Sequence, residues 1–212
     1  KSGARSLPDF FSRSMDTPIR LFDSPNFLPT PSNKRSNLTR SVAYNIFKTP
    51  TYIKSILFIR SRIIQTKADL VVNFYELLTG LTYLLFRPQV PQVSIGHQYL
   101  FLHSGFEFPK GSPVSLFFLR MFTRITCIGA QDKLALADDS RKGVSVVPPL
   151  LRREVLDTRP SDGDYIHGYM VNAGYGESIA RWHRDNPGVP LNFFWDRKGV
   201  DKVYKVDPTL TF

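Results

Sequence analysis

Two short stretches concentrate the side chains able to do chemistry. Asn73-Phe74-Tyr75-Glu76 places an amide, a phenol and a carboxylate within four residues, and Gly96-His97-Gln98-Tyr99 adds an imidazole, a second amide and a second phenol. Such a set suits hydrogen bonding to a polyhydroxyl ligand. Either Glu76 or His97 could also take a proton from an acceptor hydroxyl as a general base. Taken singly, each has a plain structural role. An acid in the first turn of a helix is favoured by the helix dipole, and a histidine is as often a hydrogen bonder as a catalyst. Placement on one rim is what would turn them into a site.

The elements that must position them are legible as pattern. LVVNF (70–74) is an apolar, β-branched run that reads as a strand buried on both faces, as in parallel sheets. ELLTGLTYLLF (76–86) follows as a helix that tolerates Gly80, and QVSIG (92–96) reads as a second buried strand. Both reactive stretches thus fall at carboxyl ends of strands, where open α/β sheets bind ligands. Residues 97–109 read as a long aromatic loop in which His103 packs, 112–122 as a helix, RITCIGA (124–130) as a strand, and QDKLALADDSRKG as a connection into the strand VSVVP (144–148).

Upstream, residues 7–37 carry five prolines and read as loop, with one short strand near Ile19–Phe22. Asn37-Leu38-Thr39 fits a glycosylation sequon, but Asn37 reads better as the N-cap of a helix whose apolar positions are Val42, Ile46, Ile53, Ile56, Leu57, Ile63 and Ile64. Pro50 predicts a kink or two helices there. Downstream, 148–163 has the composition of a linker. DYIHGYMV (164–171) is a strand, NAGYG (172–176) a glycine-bearing loop, 177–188 an amphipathic helix and VPLNFFW (189–195) a strand, while DPTLTF reads as a strand cut short. Asn172, Ala173 and Gly174 could offer backbone N–H groups and a helix start to phosphate, although the loop lacks the full G-x-G-x-x-G spacing. Trp182, His183 and Trp195 read as packing. Alternation of strand and helix on both sides of the linker gives an α/β fold with parallel sheets.

Composition narrows the partners. The net charge of +10 is uneven: residues 1–67 hold twelve Lys/Arg and three Asp/Glu, whereas 68–212 hold sixteen and fifteen. A basic segment suits nucleic acid, anionic lipid or a phosphorylated substrate, or simply a solvated face. The aromatics Tyr99, Phe101, Phe106 and Phe108 are not interleaved with that basic segment, so no nucleic-acid partner is expected. Four histidines and one cysteine offer no metal-ligand spacing, and no metal site is expected. The single cysteine excludes an intrachain disulfide and fits a reducing compartment. No run of 18 uncharged apolar residues occurs, and KSGARSLPDFF lacks the apolar region of a signal peptide.

The segment DLVVNFYELLTGLTYLLFRPQVPQVSIGHQY (69–99) resembles the acceptor-side half of GT-B glycosyltransferases. It is most similar to a bacterial group related to the lipid-linked N-acetylglucosaminyltransferases of cell-wall synthesis. In that group one strand ends in an acidic D-F-E type motif and the next leads into an isi-x-x-Q/H segment. Asn73, Phe74 and Glu76, then Gly96, His97 and Gln98, stand at those places, with Asn73 where the motif has its first acid. The resemblance implies two Rossmann-like domains: 1–147 on the acceptor side, a linker at 148–163, and 164–212 as the start of the nucleotide-sugar domain. It further implies that the family's first strand would precede Lys1 and its donor motif follow Phe212. Glu76 and His97 would be catalytic, while Asn73, Tyr75, Gln98 and Tyr99 would bind the acceptor. Asn172, Ala173 and Gly174 would meet donor phosphate. The partner would be a nucleotide sugar used without an essential metal or other cofactor. The acceptor would be lipid-linked or an envelope glycan, and the location cytoplasmic and peripheral to the anionic inner membrane. A sugar-nucleotide epimerase of the same fold and a non-enzymatic binder of anionic lipid or RNA are the alternatives.

Overall fold

The computed structural model describes residues 11, 13–32, 34, 36–103, 105–108, 110–137, 145–170, 172–197, 199–201 and 203–212. Residues 1–10 of the stretch KSGARSLPDFF and residues 138–143 of the connection before VSVVP lie outside them. The chain forms two compact units, one of Lys1–Asn26 with Asn45–Arg152 and one of Phe27–Tyr44 with Arg153–Phe212. The second unit therefore includes a stretch from the region expected to belong wholly to the first domain.

In the first unit, β1 (Val71–Asn73), β2 (Gln92–Ile95), β3 (Ala130–Leu136) and β4 (Ser145–Val147) form one parallel sheet in the order β1-β2-β3-β4. Its helices are α2 (Thr49–Gln65), α3 (Leu77–Phe86) and α4 (Pro113–Thr126), while the preceding α1 (Leu38–Phe47) falls in the second unit as far as Tyr44. Asn37 caps α1 by accepting the Arg40 N–H at 3.0 Å. Pro50 sits in the first turn of α2, where its missing N–H costs no bond, and the expected break is a change of helix. The short strand expected at 19–22 is irregular chain, with Phe22 alone in a bridge.

Three expectations are corrected. RITCIGA is not a strand: α4 runs on to Thr126, and the third strand is Ala130–Leu136, read from sequence as a connection. The aromatic stretch is not all loop, because His97–Leu102 is a 3-10 helix. Nor is β1 buried on both faces. It is an edge strand, with Val72 46% exposed while Asn73 is 2% exposed.

Packing explains these shifts. Tyr52, Ile56, Ile59 and Ile63 of α2 lie at helical spacing and bury against Leu78 and Tyr83 of α3. Each such side chain contributes roughly 1.5–3 kcal/mol by leaving water. The layer between the sheet and α4 is polar instead. Asn73, Gln92, Ser94, Thr123 and Thr126 are buried there, and Thr82 is buried on α3. Hydrogen bonds make that tolerable: Thr82 Oγ1 donates to Leu78 O at 2.7 Å, and Gln92 Nε2 donates to Ser94 Oγ and Ile128 O at 3.3 Å each. Gly80 is required here rather than tolerated. A Cβ at that position would lie 2.0 Å from the Ile125 carbonyl oxygen of α4.

In the second unit, β5 (Ile166–Met170), β6 (Leu191–Trp195), β7 (Lys205–Asp207) and β8 (Leu210–Thr211) form a sheet in the order β5-β6-β8-β7. β5, β6 and β8 are parallel, and β7 is antiparallel to β8. The expected C-terminal strand is thus half of a hairpin. A four-residue helix, α5 (Arg153–Leu156), lies within the expected linker, and α6 (Gly176–Asp185) packs Ile179 and Ala180 on Met170, Leu191, Leu210 and Phe212. The expected packing role of Trp195 is seen in its stack on Phe212, 4.2 Å between centroids and 16° between planes.

Candidate functional site

The first sheet's carboxyl-end rim is built from the ends of β1 and β2, which pair in parallel with Asn73 opposite Ser94. Beyond Asn73 the chain must turn sharply into α3, and Asn73 makes the turn. Its Oδ1 accepts the Glu76 N–H at 2.7 Å, and its Nδ2 donates to Glu76 O at 3.2 Å and Thr126 O at 2.8 Å. All of its polar atoms are engaged and the side chain is buried. The expected role of Asn73 in orienting acceptor hydroxyls is therefore replaced by a structural one. Within the turn Tyr75 holds φ +58°, a left-handed conformation that non-glycine residues seldom adopt.

Glu76 ends the turn as the N-cap of α3. Its Oε1 accepts the Leu78 N–H at 3.1 Å and the Ser24 hydroxyl at 2.6 Å. The carboxylate thus satisfies an orphan amide at the positive end of the helix. Oε2 accepts no hydrogen bond from the described residues.

The second stretch behaves differently. Gly96 completes the ladder, donating its N–H to Leu134 O and accepting from Leu136 N. His97 then projects outward and is exposed. Its Nδ1 lies 2.7 Å from the carbonyl oxygen of Leu136, at the end of β3. A carbonyl only accepts, so Nδ1 carries the hydrogen and Nε2 keeps its lone pair in the neutral ring. Gln98 is half-buried, and its Oε1 lies 3.3 Å from where a side chain at Gly96 would begin. The same point is 3.5 Å from Tyr75 Cβ and from the Tyr99 ring, which brings both stretches together at Gly96.

The tyrosines face inward. Tyr99 is fully buried with its hydroxyl 3.3 Å from Thr126 Oγ1, and Tyr75 pairs with Thr123 Oγ1 at 2.8 Å. Burial pushes both phenols above their ordinary range. Their rings meet edge to face at 5.5 Å. Tyr99, expected to contact an acceptor, has no exposed surface with which to do so, and both rings support the rim from beneath. The rim's other members are the exposed His97, the half-buried Gln98 and Glu76, and the 62% exposed ring of Phe74. The capping partner Ser24 and the Leu136 carbonyl carry no local sequence signal.

In the second unit, Asn172 opens a 3-10 turn, Ala173–Tyr175, that leads straight into α6. Asn172 O accepts the Tyr175 N–H. The Ala173 N–H does not point at an open site: it donates to Asp196 Oδ1 at 3.1 Å. The carboxylate occupies the amide that the expected phosphate would use, and Ala173 is corrected to a turn residue held by Asp196. Gly174 is half-buried beside it. Next along, Gly176 admits the Trp195 ring, which a Cβ would meet at 2.6 Å. A concavity of about 600 Å³ nearby is lined by Tyr169, Asn172, Tyr175, Trp182 and Phe193 among others. Trp182, expected as packing, is 45% exposed along it. His183 is buried as expected, with Nε2 3.0 Å from Thr209 Oγ1 and 3.3 Å from Asp207. His103 likewise packs, its Nδ1 accepting the Gly105 N–H at 3.0 Å.

Among the described residues, no three His, Cys, Asp or Glu side chains gather to hold a metal ion, and no helix is long and apolar enough to cross a membrane. Comparison with protein-family models, with curated proteins and with solved structures finds nothing that matches this chain.

Proposed function

We propose that the chain belongs to a glycosyltransferase of the GT-B type, which moves a sugar from a nucleotide donor to a hydroxyl acceptor. The observation that carries this reading is the His97–Leu136 bond at the carboxyl end of a parallel sheet. It leaves Nε2 as the acceptor of the neutral ring, on an exposed side chain at the place where open α/β sheets bind ligands. In this reading Nε2 takes the proton from the acceptor hydroxyl as it attacks the anomeric carbon and the nucleotide leaves. Gln98 and the free oxygen of Glu76 hold neighbouring hydroxyls. Phe74 offers an apolar face to the sugar ring. The donor's partners are left to residues other than the Ala173 amide.

A lipid-linked acceptor and a position against the anionic face of a membrane fit one further feature. Ile53, Leu57, Arg60 and Ile64 follow one another at helical spacing on α2, and the three apolar members are 54%, 48% and 60% exposed. An apolar stripe beside basic residues is the pattern of an interfacial helix.

The test is an incubation with a panel of nucleotide sugars, with and without hydroxyl acceptors, followed by phosphorus NMR and product mass. Acceptor-dependent release of nucleotide supports transfer. Acceptor-independent conversion of the donor would assign an epimerase instead. No turnover of any donor, together with steeply salt-dependent lipid binding, would leave a binding protein.

A further inference from the structure

We infer that the end of the first unit opposite the rim holds a binding pocket for an organic phosphate, formed by Arg60, Lys67 and Arg87. These three cations line one concavity of about 380 Å³ together with Ile63, Ile64 and Phe86. No acidic side chain lines it, and none of the three cations forms an ion pair with a described residue. Arg60 is held in place by the Phe86 ring, with its guanidinium carbon 4.7 Å from the centroid.

The backbone is the second observation. Both helices that meet here end in a left-handed turn, and in both the left-handed residue is a cation: Lys67 at φ +49° and Arg87 at φ +45°. After α2, Lys67 N bonds to Ile64 O and Ala68 N to Ile63 O, the paired bonds of a Schellman turn. After α3, Arg87 N bonds to Tyr83 O. Glycine or asparagine is the ordinary occupant of such positions. The helix dipole favours a cation near a C-terminus, but a lysine or arginine one turn earlier would serve it without a left-handed backbone. Arg60 lies within α2 and needs no such explanation. Two backbone outliers that converge on one acid-free pocket point to an anion.

The pocket is several times larger than a phosphate group and has an apolar wall. The ligand is therefore a phosphate carrying an apolar substituent, whose charge meets the guanidiniums and ammonium and whose apolar part lies on Ile63, Ile64 and Phe86. A soluble phosphate ester and the head group of a membrane phospholipid share this chemistry. The inference does not depend on sugar transfer.

The experiment is calorimetric titration of the protein with inorganic phosphate and with phenyl phosphate, repeated on the double variant Lys67→Gly, Arg87→Gly. Glycine removes both charges and relieves both left-handed residues, so the fold is kept and its Tm is equal or higher. The expected result is one site per chain, tighter for phenyl phosphate, and weakened at least about tenfold in the variant, as loss of a charge-assisted bond brings. Flotation with vesicles of phosphatidylcholine containing phosphatidic acid then separates the sources. Flotation lost in the variant assigns the membrane. Phenyl phosphate binding without flotation assigns a soluble ester. Absence of phosphate binding in the wild type, or equal binding in the variant, would overturn the inference.

Discussion

The imidazole of His97 donates from Nδ1 to the carbonyl oxygen of Leu136 across 2.7 Å, thirty-nine residues along the chain. This bond fixes the tautomer and leaves Nε2 as the acceptor on the rim. Long-range proton–nitrogen NMR of the histidine ring at neutral pH will show the hydrogen on Nδ1. A spectrum with the hydrogen on Nε2 would remove the proposed base.

Glu76 stabilises the protein through its cap on α3. Glu76→Ala will cost about 1 kcal/mol for the lost Leu78 amide bond, with a further fraction for the stranded Ser24 hydroxyl. Urea denaturation of the variant measures this. A stability equal to the wild type would mean that the carboxylate is held there for another reason.

Gly80 gives a prediction with an unusual sign. In an exposed helix, glycine to alanine stabilises by up to about 1 kcal/mol. Here the new methyl would fall 2.0 Å from the Ile125 oxygen, and α3 cannot withdraw without opening the buried threonine layer. Gly80→Ala will destabilise by about 3 kcal/mol or more. A rise in the urea midpoint would show that α3 and α4 are not packed as described.

Asp207 makes the second unit sensitive to acid. The Thr209 N–H holds its carboxyl below the usual carboxylate range, joined by the Thr209 hydroxyl, the Leu210 N–H and the nearby His183. The folded chain therefore takes up this proton less readily than the unfolded chain. The stabilisation is complete above the unfolded value of about 3.9 and is lost as pH falls through the lower folded value. Asp207→Asn will lower Tm at neutral pH, and the gap to the wild type will close in strong acid. A gap that persists unchanged in acid would contradict this.

Much of this architecture is written locally. Val71–Asn73, Gln92–Ile95, Ile166–Met170 and Leu191–Trp195 are short apolar runs between turn formers, and they fold as strands. The third strand was hidden because AQDKLAL exposes Gln131, Asp132 and Lys133, while RITCIG next to it has the β-branched look of a strand. In fact Thr123 and Thr126 bond back to carbonyls of their own helix, and the buried partners Asn73 and Tyr99 draw that helix to its end at Thr126. Tertiary contacts override propensity here. The rim was half legible for the same reason. Spacing places Asn73, Glu76 and His97 at strand ends, but whether each faces solvent depends on Ser24, Thr126 and Leu136, which lie far away in sequence. The Ala173–Asp196 bond is equally long-range and carries no pattern.

We propose that the rim performs acceptor-dependent sugar transfer with His97 Nε2 as its base. Replacing His97 by Asn tests it most directly, because the asparagine amide can still donate to Leu136 where Nδ1 did, while no atom remains at Nε2. The expected outcome is an unchanged Tm with kcat for sugar transfer lowered by about 10²–10⁴, the usual contribution of a positioned general base. Transfer at the wild-type rate in His97→Asn would contradict it.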